Sequence, residues 1–146
     1  MEAEYTRKMV QNLGNHLIVE MYDCHPGILN DVEKVEASLK QAVVLSGANM
    51  VQSVIHRFNP HGVSGVIVIE ESHFSVHTWP EYGYCALDIF TCGTEVDYYS
   101  ALDFLKDAFQ SKNISVSEIK RGLLDLPVKL LHKPAVMENG NEAVNA

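Results

Sequence analysis

The chain has 146 residues, 47% of them apolar, enough for one ordinary globular domain with a real core. Its 19 acidic against 11 basic side chains give a formal charge of −8, and the scattered lysines and arginines form no stripe, which argues against an electrostatic nucleic-acid binder. No apolar run has the length of a secretory leader's core or of a bilayer span, so a cytoplasmic protein with no membrane partner is expected. Three cysteines without framework spacing, Cys24, Cys85 and Cys92, fit a reducing compartment.

Residues 1–13 read as a short helix or an arm, and residues 16–22 (HLIVEMY) as a buried strand closed by Pro26 and Gly27. Leu29, Val32, Val35, Leu39, Ala42 and Val43 recur at three- and four-residue spacing and predict an amphipathic helix over 29–45, ended by Ser46-Gly47. Strands follow at 51–58 and 65–69, with Asn59-Pro60-His61-Gly62 as the turn between them, then at 74–79 and 84–90. Tyr98, Ala101, Leu102, Leu105, Ala108 and Phe109 predict a second helix over 98–109, with Glu95 and Asp97 placed to favour its N-terminal dipole. A last strand is expected at 114–119.

Consecutive strands joined by short turns imply an antiparallel sheet, and two helices with one apolar stripe each cover one of its faces. The expected fold is therefore α+β, a two-layer sandwich with helices on one face. The other face calls for a cover, which a dimer packing into a larger αββα assembly supplies. Residues 1–136 form the single domain, and the polar, aperiodic stretch 137–146 is expected to be disordered.

Chemistry concentrates in Glu71-Ser72-His73-Phe74-Ser75-Val76-His77-Thr78-Trp79-Pro80-Glu81-Tyr82-Gly83-Tyr84 and in Asp88-Ile89-Phe90-Thr91-Cys92-Gly93. His73 and His77, with Cys85, Cys92, His56 and His61, lack the short paired spacing of a zinc site, so no metal is expected. Taken singly, each reactive group has a plain structural reading. Ser72 could cap a strand end, Ser64 could be a turn serine, and Cys24, Cys85 and Cys92 could be buried apolar thiols. A serine becomes reactive only beside a base and an oxyanion donor, and His77, the candidate base, would need a turn at Ser72-His73 to reach Ser72.

Taken together, these two segments, with Gly14-Asn15-His16-Leu17-Ile18-Val19-Glu20 and Ser64-Gly65-Val66, resemble the prokaryotic-type S-adenosylmethionine decarboxylase proenzymes over residues 14–122. The resemblance implies autocatalytic serinolysis between Glu71 and Ser72. The products would be a β chain of residues 1–71 and an α chain of residues 72–146, with Ser72 becoming a pyruvoyl group that binds substrate as a Schiff base. It further implies that His77 is the base for processing, that Ser64 supports it, and that Cys92 is the proton donor in decarboxylation. Phe58 would stack on adenine and Glu81 would bind ribose hydroxyls, with Glu20 facing the same pocket. The implied substrate is S-adenosylmethionine, whose product is the aminopropyl donor for spermidine synthesis, and the implied assembly is an (αβ)₂ dimer. The alternatives are a pyruvoyl-dependent arginine or ornithine decarboxylase on the same scaffold, or a non-catalytic regulatory homologue.

Overall fold

The structure, a computed structural model, describes residues 10–92 and 95–125. Six strands, β1 (Val10–Tyr22), β2 (Met50–Arg57), β3 (Val63–Ile69), β4 (Ser72–Trp79), β5 (Tyr84–Cys92) and β6 (Asn113–Asp125), form one sheet in the order β2-β3-β4-β5-β1-β6. Every pairing in it is antiparallel. Among the described residues three α-helices accompany it, α1 (Pro26–Leu29), α2 (Val32–Ser46) and α3 (Tyr98–Ala108), and a 3-10 turn at Pro80–Tyr82 joins β4 to β5.

Period-two alternation decides which way each strand faces. Leu17, Val19 and Met21 of β1, Phe74 and Val76 of β4, and Cys85, Leu87 and Ile89 of β5 point into one core together with Val35, Leu39, Ala101, Leu102 and Leu105 from the helices. The intervening residues, among them His16, Ile18, Glu20, His73, His77, Asp88 and Phe90, belong to the opposite face, which none of the described helices covers. That open face carries Ile18, Val54, Val68, Trp79 and Ile119, all substantially exposed. The fold is thus the expected α+β two-layer sandwich.

The helices start and stop where local chemistry dictates. Asp31 caps α2 by accepting from the Glu33 and Lys34 amides at 3.1 Å, and Gly47 ends it in the left-handed conformation at φ 79°. Asp97 caps α3 by accepting from the Ser100 amide. Asn30 and Asp31 break the expected 29–45 helix in two: Pro26, expected to close a strand, instead opens the one-turn α1, and α2 begins at Val32. Residues 10–13 are strand rather than helix or arm, because β1 extends to pair with β6, which itself runs past the expected 114–119. Residues 1–9 and the expected disordered tail lie outside the described residues, as does Gly93. No described helix is long and apolar enough to cross a membrane.

Candidate active site

The tight turn between β3 and β4 contains Glu70 and Glu71, and Asn49, just beyond α2, fixes it. The Asn49 backbone amide and its Nδ2 donate to the two Glu71 carboxylate oxygens at 3.2 and 3.1 Å, while the Glu70 amide donates to the Asn49 carbonyl at 2.9 Å. The Glu71 backbone carbonyl accepts from the Cys92 amide at 2.7 Å. Ser72, the next residue, has φ 149°, a region that residues with a Cβ seldom enter and that costs on the order of 1–3 kcal/mol. Strand alternation alone would send its side chain toward the helices with Phe74. Instead its Oγ lies 3.2 Å from Cys92 Sγ. Carbonyl, hydroxyl, thiol and amide therefore meet at one peptide bond.

A second group forms at the opposite end of β4. Ser64 and His77 are directly paired across β3 and β4, and Ser64 Oγ lies 2.8 Å from His77 Nδ1. The pair opens onto a cleft of 290 Å³ that Phe58, His61, Trp79 and Glu81 also line. His61 Nε2 meets Glu81 Oε2 at 3.0 Å, and the Phe58 amide closes the loop by donating to the Gly62 carbonyl at 2.8 Å. The loop is also tied to the helical layer, since Asn30 Oδ1 accepts from the Gly62 amide at 3.0 Å. Thr78 Oγ1 accepts from the Val63 amide and donates to the Leu29 carbonyl, which locks the strand carrying His77 in register.

The predicted site residues thus fall into two clusters, Glu71, Ser72 and Cys92 in one and Phe58, Ser64, His77 and Glu81 in the other. The turn at Ser72-His73 that His77 would need to reach Ser72 is absent, because Ser72 is already the first residue of β4 and pairs with both Ile69 and Thr91. Five residues of strand put His77 about 16 Å further along. Within one chain His77 cannot reach Ser72.

Glu20 does not line the cleft. Its carboxylate accepts from the Tyr84 hydroxyl, and the Tyr84 ring stacks with Tyr22 at 5.6 Å and with Trp79 at 5.2 Å between centroids. Partial burial, then the bond and charge of Glu20, push the Tyr84 phenol well above its usual range. Burial likewise raises the Cys85 and Cys24 thiols, which leaves Cys92 as the one of the three cysteines not shut into the core. Asn49 and the Cys92 amide had no signal in the sequence, and His61 stood there only as one of the scattered histidines. Backbone donors have no letter of their own, and Asn49 lies 22 positions from its partner Glu71.

A serine with strained backbone beside a carbonyl held by a backbone amide, and a separate cleft on the same sheet, fit the class of a self-processing enzyme. The family model for S-adenosylmethionine decarboxylase matches residues 15–122. S-adenosylmethionine decarboxylase proenzymes of Thermosipho africanus and Thermotoga maritima are 49% and 48% identical over 130 residues, which is 87% of this chain and 100% of each relative. The crystal structure of the adenosylmethionine decarboxylase from Aquifex aeolicus superposes with a TM-score of 0.75 at 30% identity, over 82% of this chain and 99% of that one. The chain belongs to the S-adenosylmethionine decarboxylase family.

Proposed function

We propose that this chain cleaves itself between Glu71 and Ser72 and then decarboxylates S-adenosylmethionine. The observation that carries the proposal is the Cys92 amide, 2.7 Å from the Glu71 carbonyl oxygen, at a peptide bond whose following serine is strained. Attack by Ser72 Oγ on that carbonyl places negative charge on the oxygen, and the amide is already aimed at it. The C–N bond then breaks, the Ser72 nitrogen takes up a proton, and Glu71 is held as an ester. Loss of the Ser72 α-proton breaks the Cβ–Oγ bond and releases the Glu71 carboxylate. Water then displaces ammonia from the new N-terminus and leaves a ketone. Relief of the Ser72 backbone strain favours the first step.

His77 suits the role of base. With Nδ1–H donating to Ser64 Oγ, its Nε2 is left to take the proton. Because Ser72 and His77 lie at opposite ends of β4, the base must come from a second copy laid across the open face. A two-fold axis parallel to the sheet, above its open face and perpendicular to the strands, sets the Ser72 end of one copy against the His77 end of the other, and generates two equal sites. The apolar residues of that face support such a dimer.

The residues at the cut fit a pyruvoyl group made from Ser72. Such a group supplies a ketone conjugated to an amide, an electron sink for the departing carboxylate. Cys92 Sγ, beside Ser72, returns a proton to the substrate carbon. Phe58 offers a half-exposed ring to adenine and Glu81 a carboxylate to ribose, with His61 holding one of its oxygens. Their sharing one cleft favours a nucleoside substrate over arginine or ornithine. The free thiols support a reducing, cytoplasmic setting.

The test is the denatured intact mass of purified protein beside a Ser72→Ala control. Two fragments, 1–71 and 72–146, the second bearing a pyruvoyl terminus, together with carbon dioxide release from S-adenosylmethionine, are the expected result. A single uncleaved mass that persists on incubation refutes it.

A further inference from the structure

Beside the cleavage point the open face gathers a side-chain set that the steps above do not use. His16 on β1 and His73 on β4 both pair in register with Phe90 of β5, so the three form one row across the sheet. The Phe90 ring holds both imidazoles, at 5.3 Å from His16 and 5.8 Å from His73 between centroids. Both Nε2 atoms turn toward Asp88, two residues away on the same face. His73 Nε2 is 2.8 Å and His16 Nε2 3.5 Å from the same oxygen, Asp88 Oδ1, and the three ligand atoms lie within 4.8 Å of one another.

The geometry points to a site for a divalent first-row transition metal, held by His16 Nε2, His73 Nε2 and Asp88 Oδ1, with water completing its coordination. Two imidazoles and one carboxylate are a donor set that zinc, cobalt and iron all accept. Tetrahedral ligands at bond lengths of about 2.0–2.1 Å stand roughly 3.3–3.4 Å apart. The His16 to Asp88 separation already matches, and the His73 contact must open by about half an ångström. The second observation is His16 Nε2 itself, which is buried and has no hydrogen-bond partner. The nearest carboxylate oxygen, Asp88 Oδ1 at 3.5 Å, makes no hydrogen bond with it, and a cation between the three ligand atoms would satisfy all of them.

Arg121 is the competitor. Its guanidinium lies over Phe90, 4.5 Å from the ring centroid, and Nη1 is 3.4 Å from His16 Nδ1. Donation to Nδ1 keeps the His16 proton on Nε2, where a metal must bind, and the positive charge opposes a second cation. Removing Arg121 should therefore tighten the metal, an effect opposite in sign to removing a ligand.

The experiment titrates Co²⁺ into tag-free, chelator-treated protein, following the visible d–d absorption and, by equilibrium dialysis, the stoichiometry. The expected result is one equivalent per chain, weakened at least about 10-fold in Asp88→Asn and in His16→Gln, and tightened in Arg121→Gln. Thermal melts establish that the variants are folded. Should a ligand variant fail to fold, Arg121→Gln, changed at an exposed position, decides by the sign of its effect. Absence of a stoichiometric band in the wild type, a band that survives both ligand variants, or Co²⁺ that binds no tighter in Arg121→Gln overturns the site. None of these readings depends on self-cleavage or on decarboxylation.

Discussion

At the scale of single residues, Cys92 meets both sides of the proposed cleavage point, its backbone amide at the Glu71 carbonyl and its thiol at Ser72 Oγ. Serine at position 92 keeps the amide but replaces the thiol by a much weaker acid, so Cys92→Ser should still cleave while kcat for decarboxylation falls on the order of 10²-fold. Protonation at the wrong carbon should then inactivate the cofactor during turnover, seen as declining carbon dioxide release and a changed mass of the 72–146 fragment. Asn49→Ala removes one of two bonds to the Glu71 side chain and keeps the backbone one, so cleavage should slow several-fold in a time course of intact mass without loss of fold. Tyr84 sets an alkaline limit. Its folded phenol holds its proton past the unfolded value near 10, so the stability that Tyr84 contributes is complete below about pH 10 and is lost as pH rises above it. Tyr84→Phe should flatten that decline in denaturant melts taken at about pH 9 and pH 11.

At the scale of elements, Gly14 shows how strand pairing and chemistry are linked. It faces Cys92 across β1 and β5, and a Cβ there would sit 2.6 Å from the Thr91 carbonyl oxygen and 2.9 Å from the Phe90 ring. Backbone cannot yield as a side-chain tip can, so Gly14→Ala should cost about 1–3 kcal/mol in a chemical melt and should also slow cleavage by shifting the Cys92 amide. Most element positions were legible in the sequence because alternation in β1, β4 and β5 and the apolar stripes of α2 and α3 are periodic signals. The Gly47 stop is legible too, whereas the apolar spacing runs through Asp31 and hides both its cap and the break into α1 and α2. The far end of β6 was not legible, since it carries no clean alternation and owes its length to pairing with β1. The site was half legible. Its residue types stand in the sequence, but their division into two clusters follows from β4 running straight from Ser72, and no local letter marks that.

At the scale of the whole molecule, the division of the site makes a prediction about pairs of chains. Ser72→Ala and His77→Ala should each stay uncleaved alone. Expressed together, the His77→Ala chain should be cut, because its intact Ser72 meets the His77 of the Ser72→Ala copy, and only fragments of the His77→Ala chain should appear by mass. Failure of the mixture to cleave, with mixed dimers demonstrated, would return the base to another residue.

A cut after Glu71, as proposed, would meet the order of the sheet in one further way. The piece ending at Glu71 holds β1, β2 and β3, the other holds β4, β5 and β6, and β1 lies between β5 and β6. The two pieces are dovetailed: neither can withdraw without breaking a full ladder on each side of β1, and α2 would have to leave α3 as well. Cleavage therefore barely loosens the protomer, yet it changes the kinetics of building it. An uncut Ser72→Ala chain should regain its sheet after denaturation at a rate that does not vary with dilution. The cut protein must reunite two molecules, and its recovery, followed by circular dichroism, should slow in proportion as it is diluted. Maturation on this topology is a one-way passage from a chain that folds alone to a pair that must find each other.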